Sequence, residues 1–135
     1  MSIKVTLSKR LPDTKKIAKV VILDERGQVL LLLRKKDQLF PENWDLPGGH
    51  LLVGETWEQG ARRETKEETN LSLGEVEMTW DRGKNKYFRT RGWAGELFDK
   101  EDLPEHDDYI WADPNNLDGL KITKIYLNII KRGIE

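Results

Sequence analysis

The sequence predicts a single α/β domain with a mixed sheet. Three observations carry this. β-branched and apolar runs of strand length recur between turn residues. A carboxylate-rich helical segment interrupts them at residues 56–69. An apolar stripe of helical period closes the chain. At 135 residues the chain fits one domain, residues 1–135. Hydrophobic residues make up 37% and charged residues 35%, which is polar but well short of a disordered composition.

In chain order, residues 3–7 alternate apolar and polar and suit a short edge strand. Leu11-Pro12-Asp13 reads as a turn. Residues 17–23 and 28–33 read as strands, joined by a hairpin turn at Asp24-Glu25-Arg26-Gly27 with Gly27 left-handed. The second run, VLLLL, does not alternate, so it predicts a strand buried on both faces. Residues 35–44 form a loop, and Asp45-Leu46-Pro47-Gly48-Gly49 is a strand end entering a tight glycine turn. Helix 56–69 opens with Thr56 and Gln59 at capping-box spacing and closes with Asn70 as a left-handed cap. Strands at 75–80 and 87–98 flank the polar turn 81–85. An acidic loop at 99–108 leads to a short strand at 109–111. Ile122, Ile125, Tyr126, Ile129 and Ile130 then mark a helix over 121–132, with Gly133 able to end it.

With 23 basic and 24 acidic residues the net charge is −1, which argues against a general polyanion binder. The absence of cysteine excludes disulfides, cysteine–zinc sites and thiol nucleophiles. The first residues hold no apolar stretch long enough for a signal peptide or membrane span, so the expectation is a soluble cytoplasmic protein.

The helix at 56–69 carries Glu64, Glu67 and Glu68 at i, i+3 and i+4, so all three project from one face. Like charges at that spacing weaken a helix. A solvated charged face is one reading; a cage for a hard divalent cation is the other. Gly48 and Gly49, just before the helix, let backbone approach a metal or phosphate closely, and the Gly48 carbonyl is a further candidate ligand. The spacing decides between the two readings. From Gly49, five residues lead to Glu55, seven more to Arg63-Glu64, and then come Thr65, Lys66, Glu67-Glu68, Thr69, Asn70 and Leu71.

Residues 49–71 resemble the box of the Nudix hydrolases, G-x5-E-x7-R-E-U-x-E-E-x-G-U, where U is aliphatic. Every charged position is matched. Thr65 replaces an aliphatic residue and Asn70 replaces the late glycine; Asn is the next most tolerant residue in the left-handed region. The box covers about a sixth of the chain, and the rest is also similar to the family in order of elements.

The resemblance implies the Nudix α/β/α sandwich with a mixed β-sheet, a catalytic loop-helix-loop and a C-terminal helix. It implies Mg2+-dependent hydrolysis, with Mn2+ as a substitute, of a nucleoside diphosphate linked to another group. By position Glu64, Glu67 and Glu68 bind metal with Gly48. Glu64 or Glu67 orients or deprotonates the attacking water, and Arg63 pairs with Glu55 to fix the helix to the loop. Arg34 stands where relatives place a phosphate-contacting arginine; a solvated strand-end arginine is the alternative.

For the substrate, Phe40, Trp44 and Tyr87 are candidates to stack on a base or ribose, with core packing as the alternative. Tyr87 is near the place where hydrolases of diadenosine polyphosphates carry a tyrosine. Residues 105–111 (EHDDYIW) resemble the segment before the last strand in dinucleoside polyphosphate hydrolases. His106 is also similar to a histidine base of GDP-mannose-type enzymes, a role its near-neutral pKa suits, and Glu105 or Asp107 is a further candidate ligand. Asn115 and Asn116 are candidates to bond a base edge, as in relatives that sanitise oxidised dGTP. No proline lies about fifteen residues after the box, which counts against ADP-ribose.

The leading expectation is a (d)NTP or dinucleoside polyphosphate pyrophosphohydrolase. A nucleotide-sugar hydrolase with His106 as base is the first alternative, and a non-catalytic nucleotide-binding domain the second. The expected partner is a small-molecule nucleotide, with no nucleic acid and no membrane, and the chain a monomer or homodimer.

Overall fold

The computed structural model describes residues 10–135; the strand expected at 3–7 lies outside them. Two sheets form the middle. One runs in the order β4-β1-β7-β6: β1 (Pro12–Ile22), β4 (Gly48–Leu52), β6 (Glu77–Asp81) and β7 (Asn85–Thr90). β1 and β7 are parallel and the other pairs antiparallel, so this sheet is mixed, as predicted. The other sheet is antiparallel, in the order β3-β2-β9: β2 (Val29–Arg34), β3 (Trp44–Asp45) and β9 (His106–Ala112). A two-stranded pair, β5 (Ser72–Leu73) and β8 (Trp93–Ala94), completes the strands. Helix α1 (Trp57–Thr69) covers one side and α2 (Lys124–Gly133) the other.

The layering follows from the central strands. Ala18, Val20 and Ile22 of β1, with Leu30 and Leu32 of β2, pack with Ala61 of α1. Their alternates Val21, Leu23, Val29 and Leu31 pack with Ile129 and Ile130 of α2. Period-two alternation therefore divides each strand between two cores, and the VLLLL run is buried on both faces as its composition requires.

Four local expectations are corrected. The turn at Asp24–Gly27 forms, with Gly27 at φ +75° and the Asp24 amide donating to Gln28 O at 2.9 Å, but it joins no continuous hairpin. After the single bridge Leu23–Val29 the strands part, because β1 already has β4 and β7 as ladder partners and β2 has β3 and β9. Pro12 opens β1 rather than making a turn, a strand position that needs no donated amide. The strand expected at 87–98 stops at Thr90, whose Oγ1 donates to Glu75 O (2.7 Å) and accepts the Gly92 amide (3.2 Å); Trp93 then restarts as β8 and stacks on Trp111. Gly133 does not end α2 but belongs to it: a Cβ there would meet Val21 at 2.8 Å, so its role is close packing on β1.

Candidate active site

Helix α1 is capped as the sequence predicts. Thr56 Oγ1 accepts the Gln59 amide, the Gln59 side chain accepts the Thr56 amide, and Asn70 sits at φ 72°, its amide bonded to Lys66 O. Arg63 lies at the centre of the charged face. Its guanidinium grips Glu55 through two bonds of 2.8 and 3.1 Å and donates to Glu64 (3.2 Å), Glu67 (3.0 Å) and the His50 carbonyl (3.0 Å). Glu55 also accepts the Leu52 amide at 2.7 Å. One fork thus joins the helix, the loop before it and β4. Burial raises the Glu55 carboxyl, but the bonds from Arg63 and Leu52 outweigh it and hold the group below the usual range.

Carboxylate oxygens of Glu64, Glu68 and Glu105 lie within 4.8 Å of one another. Burial pushes Glu68 up to about 8, although its carboxylate accepts the Gly48 amide at 2.8 Å and has Lys19 nearby. Burial also raises Glu64, and the charges of Glu67 and Glu105 add to the rise. Three hard oxygen donors this close together suit a hard divalent cation, so the residues fit Mg2+ or Mn2+. Gly48 can be nothing but glycine. Its φ is +126° and a Cβ would stand 2.1 Å from Ala18 O. Glu67 is outside the trio, its exposed carboxylate held on Arg63, and Asp107 is exposed and outside it too. The Gly48 carbonyl accepts the Lys19 ammonium at 3.2 Å.

The cavity beside the trio has a volume of about 450 Å³, and its opposite wall is cationic. Lys19, only 7% exposed, donates to both Asp45 oxygens (3.2 Å), Leu46 O (3.1 Å) and Gly48 O. Asp45 is shared: Arg34 also reaches its Oδ2 at 3.1 Å, while Arg34 Nε donates to Leu39 O at 2.6 Å. Burial raises Asp45, but the Lys19 ion pair outweighs it and the net shift is downward. His106, on β9 opposite Arg34, is buried, which pushes its imidazole down to about 4, and its Nδ1 has no hydrogen-bond partner.

Arg34 and His106 therefore line the cavity with the carboxylates. Phe40 and Trp44 line a separate groove beyond Arg34. Two placements differ from expectation. Tyr87 is in the core under α2, against Trp80 at 5.8 Å, because β7 turns that face to Ile129 and Ile130. Asn115 and Asn116 follow the far end of β9, where the Asp113 side chain and carbonyl cap their amides, and they line neither cavity. His106 pairs with Arg34 whereas Ala112 pairs with Val29, so the strand carries the asparagines about 20 Å away. Sequence reasoning passed over Lys19, Asp45 and Tyr126. The available signal was a lysine inside the apolar run IAKVVIL, since a lysine there needs a buried partner.

A NUDIX domain model matches residues 13–132. An uncharacterized Nudix hydrolase of Listeria innocua is 34% identical over 93 residues, 67% of this chain; the match spans about half, 53%, of that relative's length. An 8-oxo-dGTP diphosphatase of Haemophilus influenzae is 28% identical over 125 residues, covering 86% of this chain and 88% of the relative. A MutT protein of Bacillus halodurans superposes with a TM-score of 0.72 at 22% identity, over 89% of this chain and 82% of that one, a likeness of fold. With the family model covering all but the two ends, the chain belongs to the Nudix family.

Proposed function

We propose that this protein hydrolyses the pyrophosphate linkage of a nucleoside triphosphate or dinucleoside polyphosphate. The observation that carries the reading is the convergence of Glu64, Glu68 and Glu105 beside the Gly48–Gly49 turn, opposite Arg34. The full-length similarity to an 8-oxo-dGTP diphosphatase supports a nucleoside triphosphate. Glu64, Glu68 and Glu105 would hold Mg2+, with Mn2+ as a substitute. The bound ion would polarise the phosphoryl group and lower the pKa of the attacking water. Arg63, gripping Glu55, holds Glu64 in place from behind. Glu64 or Glu67 orients or deprotonates the water. Arg34 binds a phosphate oxygen, exchanging its bond to Asp45 for one to the ligand; Lys19 stays behind to neutralise Asp45. A nucleotide and a phosphate or second nucleotide leave.

The partner is a small-molecule nucleotide, and we place the protein in the cytoplasm as a monomer or homodimer. Among the described residues no helix is long and apolar enough to cross a membrane.

The nucleotide-sugar alternative rests on one observation, that His106 lines the cavity, although burial lowers its imidazole to about 4, away from the near-neutral value that suits a base. The deciding experiment is a Mg2+-dependent panel of dNTPs, oxidised dGTP, diadenosine tetraphosphate, ADP-ribose and GDP-sugars, with His106→Ala alongside. Turnover of triphosphates or dinucleotides that survives His106→Ala is the expected result. Turnover confined to GDP-sugars and lost in the variant replaces it with the alternative.

A further inference from the structure

The carboxylate cavity is lined mainly by charged and polar side chains. Its inner wall is Lys19, Asp45 and Arg34, and the hydrogen bonds of these groups are already committed to one another and to the Leu46 and Gly48 carbonyls. The Tyr126 ring there already receives the Lys19 ammonium at 6.0 Å. Immediately beyond Arg34 the surface changes character. A groove of about 360 Å³ is lined by Leu39, Phe40, Asn43, Trp44, Ile125 and Tyr126 and shares Arg34 and Tyr126 with the cavity. Leu39 is 79% and Phe40 66% exposed, unusual for side chains of that size on one short loop. Phe40 and Glu42 both hold left-handed backbone, at φ 54° and 64°, around Pro41. Non-glycine residues in that region are strained, and such strain gathers at ligand clamps. Asn43 is buried in the same groove, and its Oδ1 has no hydrogen-bond partner.

Resting on the hydrolase reading, we propose that this groove is the nucleoside subsite: the base stacks on Phe40 outside the cavity and the phosphate chain passes Arg34 inward to the glutamates. Three features choose this occupant. Phe40 and Leu39 supply an apolar face for a planar ring, which stacks without regard to sequence. Arg34 stands at the junction, where the first phosphate of a nucleotide seated in the groove would fall. Asn43 Oδ1 lacks a donor, and the exocyclic amino group of adenine, guanine or cytosine is one. The Arg34 Nε bond to Leu39 O ties the presentation of the loop to the phosphate-binding side chain. Phosphate contact and base contact thus come from one short segment of chain.

The test separates the base from the phosphates. Hydrolysis of dGTP and diadenosine tetraphosphate is measured with Mg2+ for the wild type and Phe40→Ala, with inorganic tripolyphosphate as competitive inhibitor. Phe40 is exposed, so its truncation leaves the core intact. The expected result is a KM raised about tenfold for both nucleotides, carried by KM rather than kcat, with the tripolyphosphate inhibition constant unchanged. An unchanged KM, or an inhibition constant that rises with KM, overturns the subsite. A wild type that hydrolyses no nucleotide overturns the hydrolase reading instead, and the groove is then judged alone by Trp44 fluorescence titrated with AMP and IMP. AMP binding that weakens in Phe40→Ala and exceeds IMP binding upholds the groove; no AMP binding, or equal binding in the variant, overturns it. Equal affinity for AMP and IMP removes Asn43 from the proposal.

Discussion

The two walls of the cavity are built in opposite ways. The carboxylate wall is mostly local: helical periodicity brings Arg63, Glu64, Glu67 and Glu68 to one face, Glu55 stands in the loop just before the helix, and only Glu105 comes from afar. The cationic wall is assembled from afar. Lys19 comes from β1, Arg34 from β2, Asp45 from β3 and His106 from β9, and only the strand registers bring them together. In the first wall Arg63 alone serves Glu55, Glu64 and Glu67, and burial raises both Glu64 and Glu68. In the second, Lys19 and Arg34 share Asp45 as their common partner.

The largest effect that tests this contrast is on turnover. Glu64→Gln and Glu68→Gln are each expected to lower kcat on the order of 10³-fold while the melting profile keeps its cooperativity. Normal turnover in either variant removes the mechanism. On the cationic wall the effect falls on stability instead. Lys19→Met strands Asp45 with Arg34 alone and is expected to lose about 3 kcal/mol in urea unfolding, with Asp45→Asn similar and the double variant well short of the sum. Additive losses would mean the two groups do not act as a pair.

Next in size, Arg63→Ala loosens Glu55 and Glu64 without removing a candidate ligand. A drop of about 10- to 100-fold in Mn2+ affinity, read by titration of the metal alone, is expected. Acid sharpens the comparison further. The Asp45 carboxyl is held below its usual value near 3.8 by Lys19, so its contribution is complete above that pH and disappears as the pH falls through the lower, folded-state value. Unfolding midpoints measured below pH 4 fall steeply in the wild type and more gently in Asp45→Asn. Smallest, Asn70→Ala is expected to cost about 1 kcal/mol at the left-handed cap and Asn70→Gly less, by thermal melting.

This construction also explains what could be read in advance. The helix and its caps follow from local spacings and the Arg63–Glu55 pair from the resemblance of the box, and each forms as expected. The β2 run announced its two buried faces by lacking alternation. Lys19 and Asp45 are twenty-six residues apart and meet only because Lys19 pairs with Gly48 across β1 and β4, a register no local pattern states. The same holds for Asn115 and Asn116: their polarity suggested a base edge, but their distance from the site is a matter of which end of β9 they follow. Tyr87 is a stacking candidate by its likeness in position to the tyrosine of diadenosine polyphosphate hydrolases, yet alternation turns its ring inward.

The strand buried on both faces sets where this chain tolerates a change in length. One residue inserted into β2 would hand Leu30 and Leu32 to the α2 core and Val29 and Leu31 to the α1 core, and it would shift Arg34 off Asp45 in the same stroke. One residue inserted at 36–38 meets no such lattice, since the loop closes with little added entropy and β2 and β3 keep their register. Divergence among descendants of this sequence would therefore collect as insertions and deletions in the segment that presents Phe40, while the strand five residues upstream keeps its length.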